Sequence, residues 1–600
     1  MKKLIYVLAA GLLITAPSCS KYLDQVPDNI LTEEDIFKSK SRTDNFLANI
    51  YFALPNELAQ RYTATENSGP WSTASDEAKY NWPFNYGNNL NSSVWANTDG
   101  NVAHYWREYY RAIRNATFFM QNIDNANEAE INVSLKRSYK AEARALRAFF
   151  YFQIVRMYGP CIILGDELLD FEAPLESLKL SRSPMDECIN FIVSEFDAAA
   201  EGLGTEPLNG EWGRCTKGMV KAYKAEALLL AASPLFNGNS AYAALKNTDG
   251  TQLISQTYDA NKWKIAADAH KAFLDEFVPG TYNLYTETNS DPFIQAYLST
   301  RNVMSNNWNK EWIFARSNSG NWTQYDRTPK HVGFPSGAQG GGALGVTQKM
   351  VDTYFMANGL PITASGSGYT ETGFSSFKAP YDVAARNTFN QWINREPRFY
   401  VGVTYNNSYW LNQLSNPTPI ITNMEFNGNS GRSQSTSDVT PTGYIVRKNV
   451  ILNGNARGAL LLRLANIYLN YAEALNESSP GNADILHYLN LIRTRAGIPV
   501  YGSANIPVPA SQAAMREAIR HERMVELAFE NVRYFDTRRW LIAEQANSGA
   551  FYGMDLSKTG NAFYQKVVLE NRIFRDRDYL WPIPNNEVLK NEKLVQNTGW

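Results

Sequence analysis

Between residues 100 and 280 the chain repeats one pattern, in which apolar residues recur three and four positions apart over stretches of four to seven turns. That spacing predicts amphipathic helices over 104–124, 134–158, 185–201, 217–236 and 260–277. The stretch 134–158 carries Ala141, Ala145 and Ala148, which let a neighbouring helix approach closely, and Phe149, Phe150 and Phe152, which fill gaps; Gly159-Pro160 ends it. An earlier helix is expected from Thr32, as N-cap, to about Leu54, on the apolar positions Ile36, Phe46, Leu47, Ile50 and Tyr51. The pattern returns near the C-terminus over 460–475, 483–496, 515–530 and 534–543. Paired helices with small residues at their seams follow the logic of tetratricopeptide-like repeats, with an irregular period.

Two stretches break the pattern. Residues 63–100 have little periodicity and much Asn, Ser, Gly and Trp. A loop this long in a compact domain is usually functional or disordered, and its aromatic content argues against disorder. Residues 278–455 read as a loop-rich insertion between two helical regions, 32–277 and 456–600, with short strands at 311–316 and 398–405.

The stretch 519–540, IRHERMVELAFENVRYFDTRRW, reads as a charged helix, a turn at Asn531 and a second helix from Arg533. Met524, Leu527 and Ala528 share one face; Glu522, Glu526 and Glu530, four apart, share another. Arg523, Arg533, Arg538 and Arg539 are expected to pair with those carboxylates and with Asp536. Such a hairpin is a packing device before it is a site of chemistry.

The N-terminus reads as a targeting segment. Lys2 and Lys3 precede an apolar run, 4–14, too short to span a bilayer of about 30 Å. Ala16-Pro17-Ser18-Cys19 then resembles a lipoprotein cleavage site, which makes 1–18 a signal peptide, Cys19 the acylated N-terminus and 19–31 a tether. Several acyl chains anchor a protein where one does not. No later segment reads as a membrane-spanning helix. The three remaining cysteines, Cys161, Cys188 and Cys215, have no CxxC spacing and are expected to be buried thiols, with room for one disulfide in an exported protein.

The balance of 57 Lys and Arg against 59 Asp and Glu gives a formal charge of −2, which lacks the basic field of a nucleic-acid binder. No HExxH, GxSxG, P-loop or EF-hand motif is present, and no cofactor is expected. The glycine-rich run 337–345 lacks the strand-to-helix context of a phosphate cradle. What stands out instead is 13% aromatic residues, concentrated in loops among amides and carboxylates. Aromatic faces bury the C–H patches of sugar rings while polar side chains satisfy the hydroxyls, and a binding pocket needs a few such groups among apolar walls. In the early loop the candidates are Asp76, Glu77, Tyr80 and Trp82, with Trp71, Tyr86 and Trp95 behind them; in the insertion they are Trp308, Trp322 and Tyr325, near Phe334 and an apolar, buried-looking Trp312.

ERMVELAFENVRYFDTRRW (522–540) resembles the ERxxELAFExxRxFDLRRW signature of the SusD/RagB family, cell-surface nutrient-binding lipoproteins of the Bacteroidetes type. LLRLANIYLNYAEALNE (461–477) and YLWPIPNNEVLKNEKLVQNTGW (579–600) stand where that family has its companion stretches, and Arg395-Glu396-Pro397-Arg398-Phe399 is similar to its RDPRF stretch. The resemblance implies a mostly α fold: a SusD-like tetratricopeptide-repeat scaffold with a large loop-rich insertion containing short strands. It implies a non-catalytic protein, lipid-anchored in the outer membrane, that binds an oligosaccharide and passes it to a SusC-like TonB-dependent channel. A peptide ligand, a surface glycoside hydrolase and a purely structural scaffold stay open as alternatives. The family's starch-binding founder has an Asp-Glu followed by a Trp platform in the early loop, which falls here on Asp76, Glu77 and Trp82, with Tyr80 beside it. Where the founder carries a second aromatic platform, before Met350-Val351-Asp352, this chain has Ala338-Gln339-Gly340-Gly341-Gly342, so starch does not follow from the resemblance.

Overall fold

The computed structural model describes residues 33–61, 67–170, 172–319, 322–380, 382–411, 419–451 and 457–600. The expected signal peptide, the acylated Cys19, the tether and the Thr32 cap lie outside the described residues. The fold is mostly α, with short strands in two-stranded sheets. The helices that build the frame are α1 (Lys40–Phe52), α2 (Gly100–Asn122), α3 (Val133–Tyr158), α4 (Met185–Ala200), α5 (Lys217–Ala232), α6 (Asn261–Phe277), α7 (Leu464–Ser478), α8 (Ala483–Arg495), α9 (Gln512–Glu526) and α10 (Arg533–Arg539). They pack in chain order from α2 to α6; the stack then continues from α6 directly onto α7, and α7 packs on both α8 and α9. The intervening residues are looped out of the stack.

Local chemistry sets the helix limits. Asn132, Thr216 and Ser511 accept the backbone N–H three residues on, at 2.9, 3.2 and 3.2 Å, and so start α3, α5 and α9. Gly159 ends α3 at φ +75°, where a Cβ would come within 3.0 Å of Leu580. Some expectations need correction. The first helix is broken after Ile36 and restarts behind Ser39. Residues 460–463 belong to a strand rather than to α7, and 398–402 to a short helix, Pro397–Gly402, because a proline suits the first helical turn. Helix α9 stops at Glu526, four residues early, and Phe529 and Asn531 then take left-handed backbone angles of φ 61° and 66°.

Four strands tie the insertion to the frame: β1 (Ala78–Tyr80), β2 (Trp312–Ser319), β3 (Leu344–Val346) and β4 (Arg457–Arg463). β2 pairs antiparallel with β4, setting Phe314 opposite Leu462 and Ala315 opposite Leu460, so the segment between them leaves and rejoins the frame at one place. β1, from the early loop, pairs antiparallel with β3, from the insertion, Tyr80 opposite Leu344.

The core divides accordingly. One large cluster fills the helical stack and a second fills the insertion. The 519–540 hairpin sits between them. Leu527, Ile519 and Tyr534 enter the first cluster, whereas Met524, Val525, Ala528 and Phe529 enter the second, so the single apolar face expected from spacing serves two cores. Its carboxylates pair differently from the expectation. Glu522 takes Arg398 and Arg493 at 2.6 and 3.0 Å; Glu526 takes Arg398, Arg463 and Arg495; Glu530 takes Arg463 and Lys448 at 2.8 and 2.6 Å. Within the hairpin only Asp536 follows the forecast, held by Arg523 at 2.6 Å and Arg539 at 2.9 Å. Cys161, Cys188 and Cys215 are buried thiols, and no disulfide joins them. Among the described residues no helix is long and apolar enough to cross a membrane.

Candidate functional site

Where β1 runs out, the chain bends at Asn81 and Trp82 and turns at Pro83 and Phe84, closed by the Asn85 N–H on the Trp82 carbonyl at 3.2 Å, and this turn brings the rings of Tyr80, Trp82 and Phe84 together. Their rings form a ladder. Tyr80 and Trp82 stack at 5.6 Å and 19°, Trp82 and Phe84 at 5.7 Å and 16°. Asn81 donates to the carbonyls of Thr436 and Ser437 at 3.2 and 2.8 Å and pins that segment of the insertion against the ladder. That segment supplies Asp438, which accepts from Trp82 Nε1 and the Tyr325 hydroxyl, both at 3.3 Å, and from Lys330 Nζ at 3.0 Å. Burial acts to raise the Asp438 carboxyl, but the Lys330 ammonium overrides it and holds the group below the usual carboxylate range. Arg61 lies over the rings of Trp82 and Tyr325, at 4.6 and 5.5 Å, and is fixed by an ion pair to Asp326, which also accepts the Tyr80 hydroxyl at 2.7 Å.

The glycine run completes this surface. The N–H groups of Gly340, Gly341 and Gly342 donate to the carbonyls of Pro329, Tyr325 and Thr328, so they are not turned outward as a phosphate cradle. A Cβ on Gly341 would sit 2.8 Å from the Tyr325 ring and 2.9 Å from the Trp82 ring. The backbone can pass between the two rings only without a side chain.

The candidate residues therefore separate. Asp76 and Glu77 are fully buried. Both oxygens of Asp76 are taken by Arg533 at 2.8 and 2.9 Å, and Lys349 lies 3.0 Å away. Burial would raise its carboxyl; Arg533 and then Lys349 drive it well below the usual range instead. Glu77 accepts the Phe529 N–H at 3.0 Å, and burial, reinforced by Asp76, pushes its carboxyl up to about 8. This pair fastens the loop to the 519–540 hairpin and leaves no oxygen facing solvent, which corrects the expectation of a ligand contact. Trp71 is likewise core, packed on Tyr534 at 4.8 Å, Phe535 at 4.9 Å and Trp581 at 5.8 Å. Tyr86 and Trp95 are buried, bonded to Asp99 and Asp578 at 2.8 and 3.1 Å. Tyr80 and Trp82, 3% and 7% exposed, form the inside of the ladder. The open rings are Phe84 and Tyr325, at 58% and 41%. Trp308 precedes β2 in the chain and its ring lies beside Gly213 and Gly458, outside the ladder; Trp312 is buried and Phe334 is half-buried. Trp322 begins a short helix, Trp322–Arg327, but its side chain lies outside the described residues.

Sequence reading missed Phe84, Arg61, Lys330 and Asp438. Phe84 had a signal, the alternation of Tyr80, Trp82 and Phe84. The other three are brought in from distant segments and had none.

Two family models match the chain. One, described as "SusD family", matches residues 308–600, and the other, described as "Starch-binding associating with outer membrane", matches residues 21–229. A SusD-like protein of Formosa agariphila is 22% identical over 609 residues, covering 98% of this chain and 97% of that protein. The solved structure of BT4246 superposes with a TM-score of 0.81 at 25% identity, covering 94% of this chain and all of that one. A structure titled as a SusD-like carbohydrate binding protein from Bacteroides fragilis superposes with a TM-score of 0.69 at 21% identity, covering 93% of this chain and 100% of that one.

Proposed function

The chain belongs to the SusD family, and from that premise we propose that it is a non-catalytic, cell-surface lipoprotein that binds an extracellular oligosaccharide at the Phe84–Tyr325 surface and delivers it to a TonB-dependent outer-membrane channel. The observation that carries the ligand class is the ladder. Two open aromatic rings, backed by Trp82 and ringed by Asn81, Lys330, Arg61 and Asp438, combine flat apolar area with fixed donors and acceptors, which is what a pyranose with its C–H faces and hydroxyls requires. The pairing of β1 with β3 holds Tyr80 behind them, the Gly341 N–H holds the Tyr325 carbonyl at 2.8 Å and the Asn85 N–H closes the turn that carries Phe84, so little is lost in ordering the surface on binding. The outer-membrane description of the matching family supports the location, and Cys19 supports the anchor.

The test is affinity electrophoresis through gels containing a panel of plant, algal and host polysaccharides. Retardation by at least one, lost in Phe84→Ala, is the expected result. Protein that migrates freely through every gel yet binds peptides in parallel titrations overturns the saccharide reading. Delivery predicts that a large barrel protein co-purifies from outer membranes with the tagged chain. The anchor predicts that an alkyne-bearing fatty acid labels the wild type and not Cys19→Ala.

A further inference from the structure

We propose a second sugar-ring site, formed by Trp212 and Trp308 where Gly213 and Gly458 lie against Arg316 and Ser317 of β2, that holds one pyranose of a saccharide. Among the described side chains Trp212 is the single tryptophan on the open surface, at 52% exposure; the others are buried or half-buried. Exposing that much aromatic area to water is unfavourable, and the loop nonetheless holds the ring there.

Its loop turns through three left-handed residues, Asn209 at φ 55°, Gly210 at 71° and Gly213 at 100°. The loop is bolted down on the far side by Arg214, which binds Glu142 at 2.9 and 2.7 Å and Glu211 at 2.6 Å, and by the Cys215 N–H, which donates to the Tyr51 hydroxyl at 2.8 Å. The ring stacks on Trp308 at 6.0 Å and 20°, and Trp308 in turn meets Trp312 edge-on at 5.6 Å and 71°. Trp308 itself sits at φ 57°, a costly conformation for a bulky side chain that clusters at binding sites. A Cβ on Gly213 would come within 3.0 Å of the Ser317 Cβ, so the loop lies directly against β2 beside the Trp308 ring.

Beside the stack opens a cavity of about 190 Å³, close to the volume of a single hexose. Thr205, Glu206, Thr281 and Lys310 line it, and among the described residues their side chains have no hydrogen-bond partner in the protein. Hydroxyl, carboxylate and ammonium groups beside a flat indole are the complement of a sugar's hydroxyls and C–H face. The stacked rings are too close for a ligand to slip between them, so the sugar lies against the outer face and edge of the pair. A second grip on the same molecule raises the apparent affinity of a saccharide long enough to reach both sites beyond that of either alone.

This inference rests on the reading that the protein binds saccharides, and its test separates the two. Protein uniformly labelled with 5-fluorotryptophan is titrated with the methyl glycosides of glucose, galactose, mannose, xylose and N-acetylglucosamine, and followed by fluorine NMR. Trp212→Phe and Trp82→Phe assign the two signals. The expected result is a saturable shift of the Trp212 signal with at least one glycoside, kept in the Phe84→Ala background and weakened by about tenfold in Trp308→Ala. Circular dichroism of that variant shows that it is folded. A Trp212 signal that does not move with any glycoside while the Trp82 signal does overturns the second site alone. If neither moves, the second site and the saccharide reading fall together.

Discussion

Replacing Phe84 by alanine isolates the aromatic contribution to ligand binding, because the ring is attached to the frame on one face only. A phenylalanine side chain buries roughly 200 Å² when covered. Phe84 is 58% exposed, so over 100 Å² remain open by that measure, and a sugar lying flat covers about half of that, or roughly 60 Å². At about 25 cal/mol per Å² the lost contact weakens binding by about 1.5 kcal/mol, about tenfold in Kd. Stability changes little, since the ring makes one stacking contact, with Trp82. The matched control is Tyr258→Ala. Tyr258 is 59% exposed and lies beside Gly238, far along the chain from the ladder. Kd for the best-retained polysaccharide, measured by affinity electrophoresis at several ligand loadings, should rise in Phe84→Ala and not in Tyr258→Ala. If the two variants behave alike, the ladder is not the binding surface, and the open rings are ordinary surface apolar area.

Gly341→Ala should weaken binding as much as Phe84→Ala does, by driving Tyr325 and Trp82 apart, while the melting temperature falls only slightly; unchanged Kd would show that ring spacing is irrelevant. Glu526→Gln removes the shared anion of Arg398, Arg463 and Arg495, which costs about 3–5 kcal/mol for a broken buried pair. With about 2.1 cal/mol/K per residue over 600 residues, the loss lowers the melting temperature by about 3 °C, read by scanning calorimetry; a variant as stable as the wild type refutes the network's role. Glu77 has a folded pKa raised to about 8, so its contribution is complete below the unfolded value near 4.3 and drains away as pH rises through about 8. Glu77→Gln, which mimics the protonated form, should therefore gain in melting temperature relative to wild type between about pH 5 and pH 9, and a constant difference contradicts the raised pKa. Asp76, Glu522, Glu526 and Asp536 are shifted the opposite way, so their contribution is present above about pH 4 and is lost as pH falls below it.

The helical frame was legible because its information is local. Apolar spacing, alanine seams and the Gly159-Pro160 stop all act within a few residues of where they are written. The errors at 398–402 and 460–463 fall where apolar runs are short, and there periodicity alone does not tell helix from strand. The early loop was legible as important but not in its parts. Asp76, Glu77 and Trp82 sit within seven residues of one another, yet the structure gives them different tasks because Arg533 and Phe529 arrive from more than 450 positions away. Asp438 and Lys330 reach the ladder in the same way, and a single sequence carries no mark of such meetings. Phe84 alternates with Tyr80 and Trp82 in the sequence, but the spacing does not tell which of three neighbouring rings is outermost; the turn at Pro83 and Phe84 decides it.

The charged hairpin separates the work of aligning the fold from the work of contacting a ligand. Glu311, Glu522, Glu526, Arg398, Arg463, Arg493 and Arg495 form one buried lattice, with Arg398 reaching in from the insertion and Arg463 from β4. Buried ion pairs of this kind add little net stability over a well-packed apolar core, but each guanidinium accepts its carboxylate in a narrow range of directions. What the lattice supplies is alignment: it fixes the insertion's angle on the stack, while Arg533 and the Phe529 N–H fix the start of β1 through Asp76 and Glu77. The ladder begins three residues after Glu77, at Tyr80, at the seam between the elements so aligned. The residues proposed to meet the ligand, Phe84, Tyr325, Lys330 and Asp438, lie outside this lattice, so substituting them leaves intact the ion pairs that align the frame.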